Sequence, residues 1–460
     1  MKKMLSLILA CMMLLALIPA MAEDEGLPPM TTEEITLSVA HWGQSEAGEP
    51  EVIQALIAQF EAAYPNITVE FIPIELAVWD QALTNMAAEG NLPDVFWVTN
   101  VPNAVANEWA MDITDYLAKD PDAKDIYPAM LQSAKIGDRN FSYPAVLFPH
   151  MIYLNITLFE QYGVDLPDTD WTWDDYFDLA DELSHPEEYN YGVSNPYYHD
   201  FFPAAYNGNQ GRFGWDGEKY NFDEVWIEAV EKRAEVVNNK IAVESMTPEE
   251  AEAILGNAGA WGPGKGIVAM HVDWPWSMAG FKNVITPETG CQFIFYPLPT
   301  GDAMGELAIV DNGVINASTE YPREAWELAK WMSWGPQAAL CRQKTYRSLG
   351  YPVSRMPVVR TPEVWQDLVD NAEPDVKAFY TAILERGVEF VPSNWQTALG
   401  YQVMEDYYNL NDIEGRIWRG ELEPEDVAPE LQAYADKIVA EHLETLNRIL
   451  EESPIYNPDK

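Results

Sequence analysis

The residues of this chain best suited to chemistry are aromatic rings set beside small polar groups. The stretch 264–281, GKGIVAMHVDWPWSMAGF, is the clearest case. An apolar run leads into Asp273, and Trp274 and Trp276 follow on either side of Pro275. Proline has no N–H to donate, so pairing stops there and the two indoles stand at a strand end. An indole presents a flat, electron-rich face. That face matches the C–H side of a sugar ring, whose hydroxyls then need Asp, Asn, Gln or Arg in two-point forks. The same grammar recurs at Trp42 with Gln44 and Glu46, Trp97 with Asn100, Tyr197 with Tyr198, Asn312, Arg347, and Trp395 with Gln396. Of the 17 tryptophans, Trp326, Trp331 and Trp334 are expected to pack a helix on the core, as are Trp109 and Trp226. Trp42 and Trp276 are expected to face a cleft, because both follow a strand.

Other chemistries find less support. An exported, acidic, tryptophan-rich chain suits a glycoside hydrolase, which needs two carboxylates about 5 or 6.5–9.5 Å apart. With 74 acidic residues a pair can always be nominated. Asp273 is the better cleft carboxylate, and Asp94, after a proline, is expected to cap a turn. No G-x-S-x-G context occurs. GAWGPGKG (259–266) approaches a phosphate loop, but Gly266 stands where Ser or Thr should hold magnesium, so it reads as a turn. The six histidines are scattered, and Asp412-Ile413-Glu414-Gly415 is only a fragment of a calcium loop. Neither a metal nor a cofactor is expected. A formal net charge of −47 argues against binding nucleic acid or an anionic membrane.

Residues 1–22 read as a signal peptide: Lys2 and Lys3, an apolar stretch over 4–18, and Ala20-Met21-Ala22 as a small-x-small site. The mature chain is therefore expected outside the cytoplasm. Cys11 interrupts the apolar region instead of following it, so a lipid anchor there is not expected. Cys291 and Cys341 remain, as a disulfide or as free thiols.

The elements that must position these rings begin after a flexible leader, 23–31. Strand patterns at 35–44, 66–74 and 93–98 alternate with helical patterns at 50–65 and 79–90. Such alternation means a parallel sheet with crossovers, and ligands sit beyond the carboxyl ends of its strands. Three proline-broken extended pieces, 142–155, 293–301 and 347–359, suit a chain passing three times between two lobes. The first lobe is expected over 32–145 plus 300–349, the second over 146–299 plus 350–460. An aromatic loop, 192–218, is long enough to be functional.

The order of motifs resembles the family 1 extracellular solute-binding proteins of ABC importers, of the maltodextrin-binding type, over nearly all of the mature chain. The residues that carry it are ITLSVAHWGQ with LIAQFEAAYPNITVEF, LPDVFWV, the crossover YPAVLFPHMIYLNITLFEQYG running into WTWDD, GKGIVAMHVDWPWSMAGF, YPLPTG and IWRGELEPEDVAPELQ. Trp274 departs from the pattern, standing where a glycine is common. The resemblance implies an α/β fold of the periplasmic-binding-protein-like kind (type II), two lobes joined by a multi-stranded hinge with the ligand between them. It also implies a carbohydrate ligand, delivery to an ABC permease pair, and a monomer without catalytic activity. Trp276 and Tyr197 match positions of stacking rings. Trp42 and Gln44 lie on a loop that bonds sugar hydroxyls, and Trp395 in a region that supplies a further ring. A carbohydrate-active enzyme or a peptide-binding protein is the alternative.

Overall fold

The computed structural model describes residues 26–194, 214–256, 261–301, 305–386, 389–392, 397–408 and 410–458. Strands β1 (Ile35–Ala40), β2 (Ile67–Phe71) and β3 (Val95–Val98) pair in parallel in the order β2-β1-β3. The crossovers are helices Glu49–Ala63 and Trp79–Glu89. The first starts with Pro50 in its opening turn, where a missing N–H does no harm. The second ends at Gly90 with φ +72°, a left-handed cap. Val52, Ile53, Leu56 and Phe60 form the buried stripe of the first helix, as the helical period requires.

A hairpin, β4 (Lys135–Ile136) and β5 (Arg139–Asn140), precedes β6 (Tyr143–Pro149). After His150 the chain enters β7 (Met151–Asn155) of a second sheet. That sheet also holds β8 (Tyr191–Ser194), β9 (Val268–Asp273) and β10 (Phe293–Pro297), in the order β10-β7-β9-β8. The chain then returns in β11 (Gly305–Ile315), antiparallel to both β3 and β6. A third link is the extended piece around Met356, which bridges Leu147 of β6. β12 (Glu389–Pro392) pairs with β11, so a segment expected in the second lobe lies in the first sheet.

Alternation sets the packing of the second sheet. Ile152 and Leu154 of β7 join one apolar cluster, with Val272 and Tyr296. Met151 and Tyr153 face the other way, into the cluster that runs under the first sheet. Helix Trp173–Glu182 covers the second sheet. Thr172 accepts from the Asp175 N–H while the Asp175 carboxylate accepts from the Thr172 N–H, a reciprocal cap. Gly192 of β8 permits this approach, since a Cβ there would lie 1.9 Å from the Ala180 carbonyl oxygen.

Of the expected core tryptophans, Trp226, Trp326 and Trp334 are 1% exposed or less, while Trp109 and Trp331 pack only partly buried against the core. Asp94 does more than cap a turn. Its carboxylate accepts from the Ser38 N–H and hydroxyl and from the Thr319 hydroxyl, joining β1 to the chain beyond β11. Cys291 and Cys341 are free thiols.

Candidate functional site

The two sheets meet where β6 runs into β7 and β9 ends. Asp273 lies opposite Met151, one residue past His150, so register alone carries the Trp274-Pro275-Trp276 turn to the junction. Pro275 opens a single helical turn, Pro275–Ser277, and Trp276 points outward with 39% of its surface exposed. The indoles of Trp274 and Trp276 stack, with centroids 4.9 Å apart and planes at 21°. Phe148 of β6 meets Trp276 edge-on at 4.9 Å, and His150 lies 5.1 Å from Trp274.

Behind the turn the period-two rule assembles a polar relay. Ser194 pairs in register with His271, and Asp273 is two residues further on the same face. The Ser194 hydroxyl lies 2.7 Å from His271 Nδ1, and His271 Nε2 lies 3.3 Å from Asp273 Oδ2. Asp273 Oδ1 accepts from the Trp274 N–H at 2.8 Å. The Tyr153 hydroxyl donates to the Trp274 carbonyl. Asp273 is 7% exposed and links the turn to His271, one oxygen to each.

On the first sheet's side, Arg355 is completely buried. Its guanidinium carbon lies 5.3 Å from the ring centroids of both Trp97 and Phe148. Nη2 donates to Glu46 at 2.5 Å, and Glu49 and Asp311 each approach to 3.6 Å. Arg342 pairs with Glu49, which also accepts from the Tyr346 hydroxyl at 2.6 Å. Burial alone would raise the pKa of Glu49, but Arg342 and Arg355 outweigh it and hold the carboxyl below its ordinary value. His41 stacks on Trp97 at 4.5 Å. Burial, reinforced by Arg355 and Arg342 against the opposing pull of Glu49, lowers its pKa to about 3, so it is neutral in the physiological range.

The structure brings Glu46, Asp273, Trp274 and Trp276 to this junction, buries Trp97 beneath it against Arg355, and places other nominated residues elsewhere. Trp42 does not face a cleft: at 9% exposure it is wedged edge-on between Trp79 and Trp97, at 5.3 and 5.1 Å. Trp97 is 4% exposed, because β3 is central in its sheet and covered on both faces. Gln44 is tied to the Ile74 carbonyl at 2.9 Å. Asn100 caps helix Val101–Ala106 by accepting from the Asn103 N–H, and its amide reaches the Ala398 carbonyl at 3.5 Å. Asn312 is buried at the irregularity between β11 and β6 and donates to the Val310 carbonyl. Arg347, at the end of helix Pro336–Leu349, pairs with Asp367 at 2.7 Å and lines a separate cavity of about 210 Å³ with Tyr351 and Tyr380. Tyr197, Tyr198, Trp395 and Gln396 lie outside the described residues.

Sequence reasoning missed His41, Glu49, Phe148, His150 and Arg355. Arg355 left one trace, a lone cation inside an apolar, proline-broken stretch, SLGYPVSRMPVV. A charge there must be paired if the strand is buried. A second cavity, about 420 Å³, opens next to Asn100 between Val101 and Pro102 on one side and Trp215, Thr397 and Leu399 on another. Among the described residues, no group of three or more His, Cys, Asp or Glu side chains is placed to hold a metal. No helix among them is long and apolar enough to cross a membrane.

Residues 44–333 match the model of a family described as bacterial extracellular solute-binding protein. An uncharacterized ABC transporter extracellular-binding protein of Pyrococcus horikoshii is 28% identical over 165 residues, 34% of this chain. The chain spans 36% of the length of that curated relative. Among solved structures, an ABC substrate-binding protein of Listeria monocytogenes in complex with cycloalternan has a TM-score of 0.66 at 18% identity, over 88% of this chain and 99% of its own. The sugar-binding protein MalE of Xanthomonas citri has a TM-score of 0.67 at 17% identity, over 91% and 100%. At these identities the likeness shows the fold: the chain is folded as these periplasmic-binding-protein-like molecules are.

Proposed function

Because this chain belongs to the bacterial extracellular solute-binding proteins, we propose that it captures an oligosaccharide between two lobes, closes over it and presents it to the permease of an ABC importer. The observation that carries this reading is Trp276. It is a large apolar ring left 39% exposed at the meeting of two sheets, backed by a second indole and flanked by Phe148. Single exposed rings are ordinary, but a stacked pair held by a buried relay is a prepared surface. Glu46, half-buried and held by Arg355, is the acceptor for sugar hydroxyls on the facing side.

The lobes are 32–145 plus 300–349 and 146–299 plus 350–460, with 389–392 assigned to the first on its pairing with β11. Closure is driven by contacts that exist only when both lobes touch the sugar. The protein works as an extracytoplasmic monomer and returns its ligand unaltered. The cycloalternan held by the Listeria neighbour supports a glucan-type ligand.

Titration calorimetry with maltotetraose, cycloalternan and a panel of unrelated oligosaccharides and peptides tests the reading, with chromatography of the sugars afterwards. Binding of a sugar in the micromolar range or tighter, with the sugar recovered intact, is expected. Shortened sugars would make the protein an enzyme, and binding of peptides alone would change the ligand class.

A further inference from the structure

At the junction, Trp274 is partly buried and Asp273 is 7% exposed, and both are engaged by the protein itself. Trp274 has one face against Trp276 and lies 5.1 Å from His150. His150 is 2% exposed and held by the Leu307 carbonyl, 3.0 Å from its Nδ1. The Trp274 backbone is gripped at both ends, its N–H by Asp273 and its carbonyl by Tyr153. Its indole Nε1 is buried and meets no acceptor, so the ring is placed for its faces and not for its hydrogen bond. Asp273 spends one oxygen on the Trp274 N–H and the other on His271.

We propose that Trp274 and Asp273 are positioning residues, and that the carbohydrate meets only Trp276, whose ring they hold ready. The proposal rests on the carbohydrate reading above and deepens it. An exposed indole on a free turn samples several rotamers, and ordering it on binding costs conformational entropy. Stacking on a ring that cannot move removes that cost before the sugar arrives. The Ser194–His271–Asp273 relay extends the support to the end of β8. Trp274 is therefore the back-stop of one thick platform, not a second stacking site. A glycine at this position would leave Trp276 unbacked.

The stack has a signature in the ligand-free protein. Two indoles 4.9 Å apart couple excitonically and give a couplet in the far-ultraviolet circular dichroism. The difference spectra wild type minus Trp274→Phe and wild type minus Trp276→Phe should show the same couplet, and it should survive saturation of the wild type with maltotetraose. In calorimetry, Trp274→Ala is expected to weaken maltotetraose binding at least tenfold, and Trp274→Phe, which restores a flat backing ring, to recover most of that loss. Asp273→Ala, which frees the Trp274 N–H, is expected to weaken binding roughly tenfold, and Asp273→Asn, which keeps an acceptor for that N–H, to recover most of the loss. Thermal melts identify any variant that fails to fold, and the difference spectrum with Trp274→Phe then decides.

Unchanged affinity in Trp274→Ala would overturn the proposal. So would a couplet that collapses when the sugar binds, since the sugar would then touch both rings. A hundredfold loss in Asp273→Asn would make Asp273 a ligand contact and overturn its assignment here. Wild type that shows the couplet but binds no maltotetraose or other sugar would instead overturn the carbohydrate reading, and the platform with it.

Discussion

Burying a guanidinium costs several kcal/mol unless opposite charges and hydrogen bonds compensate. Around Arg355 they come from three places: Glu46 and Glu49 after β1, and Asp311 on β11. Burial would lower the Arg355 pKa, but these carboxylates raise it above the usual arginine value, so it stays charged. Arg355→Met is expected to destabilise the protein by about 3–5 kcal/mol, because it removes the charge shared by buried Glu49 and Asp311 and half-buried Glu46. Urea unfolding measures this, and a loss below about 1 kcal/mol would mean the charges are not coupled. At the same scale, Trp276→Ala should weaken sugar binding at least tenfold, about 1.4 kcal/mol, by calorimetry. Trp276 was legible in the sequence because Pro275 ends the strand in front of it. Arg355 was not, because its partners lie about 45 and 300 residues away in the chain.

The turn Trp42–Ser45 shows how an element is shaped by what it must approach. A Cβ on Gly43 would lie 2.8 Å from Arg355 Nη2 and 2.9 Å from its Cζ. The guanidinium cannot retreat, since it is buried between two rings. Gly43→Ala is therefore expected to cost about 1–3 kcal/mol, as overpacking does, and to lower the melting temperature. The same turn sets a pH dependence. His41 ordinarily titrates near 6.5, but in the fold it is held to about 3. As pH falls below 6.5 the unfolded chain takes up a proton that the folded His41 refuses, so stability is lost from there downward. Glu49, whose pKa is also depressed, adds a loss of the same sign below its ordinary 4.5. Unfolding free energies across pH 7 to 4 should show this slope, and His41→Gln should flatten it between about 6.5 and 4.5. Helix Glu49–Ala63, helix Trp79–Glu89 and the Thr172 cap followed from period, proline and capping residues, all local properties. The burial of Trp42 did not, because a strand-end ring is exposed or covered according to which helix packs beside it; here Trp79 covers it.

For the whole molecule, the proposed closure predicts a smaller radius of gyration with saturating sugar, measured by small-angle scattering. Sugar at a hundredfold its Kd should stabilise the fold by about 2.7 kcal/mol, seen as a rise in melting temperature. An unchanged radius together with tight binding would mean that the lobes do not move. The acidic surface, a formal net charge of −47, is spread along the chain and needs no structure to be read. By itself, the sequence determined the elements, the alternation that makes a parallel sheet, the three extended passages and the exposed Trp276, because each depends on neighbours within a few residues. Tertiary structure alone decided that Trp42 and Trp97 are core rings, that Arg347 serves a different cavity, that β12 joins the first sheet, and that Arg355 sits between Trp97 and Phe148. Those outcomes rest on contacts between segments far apart in the chain, which no local pattern encodes.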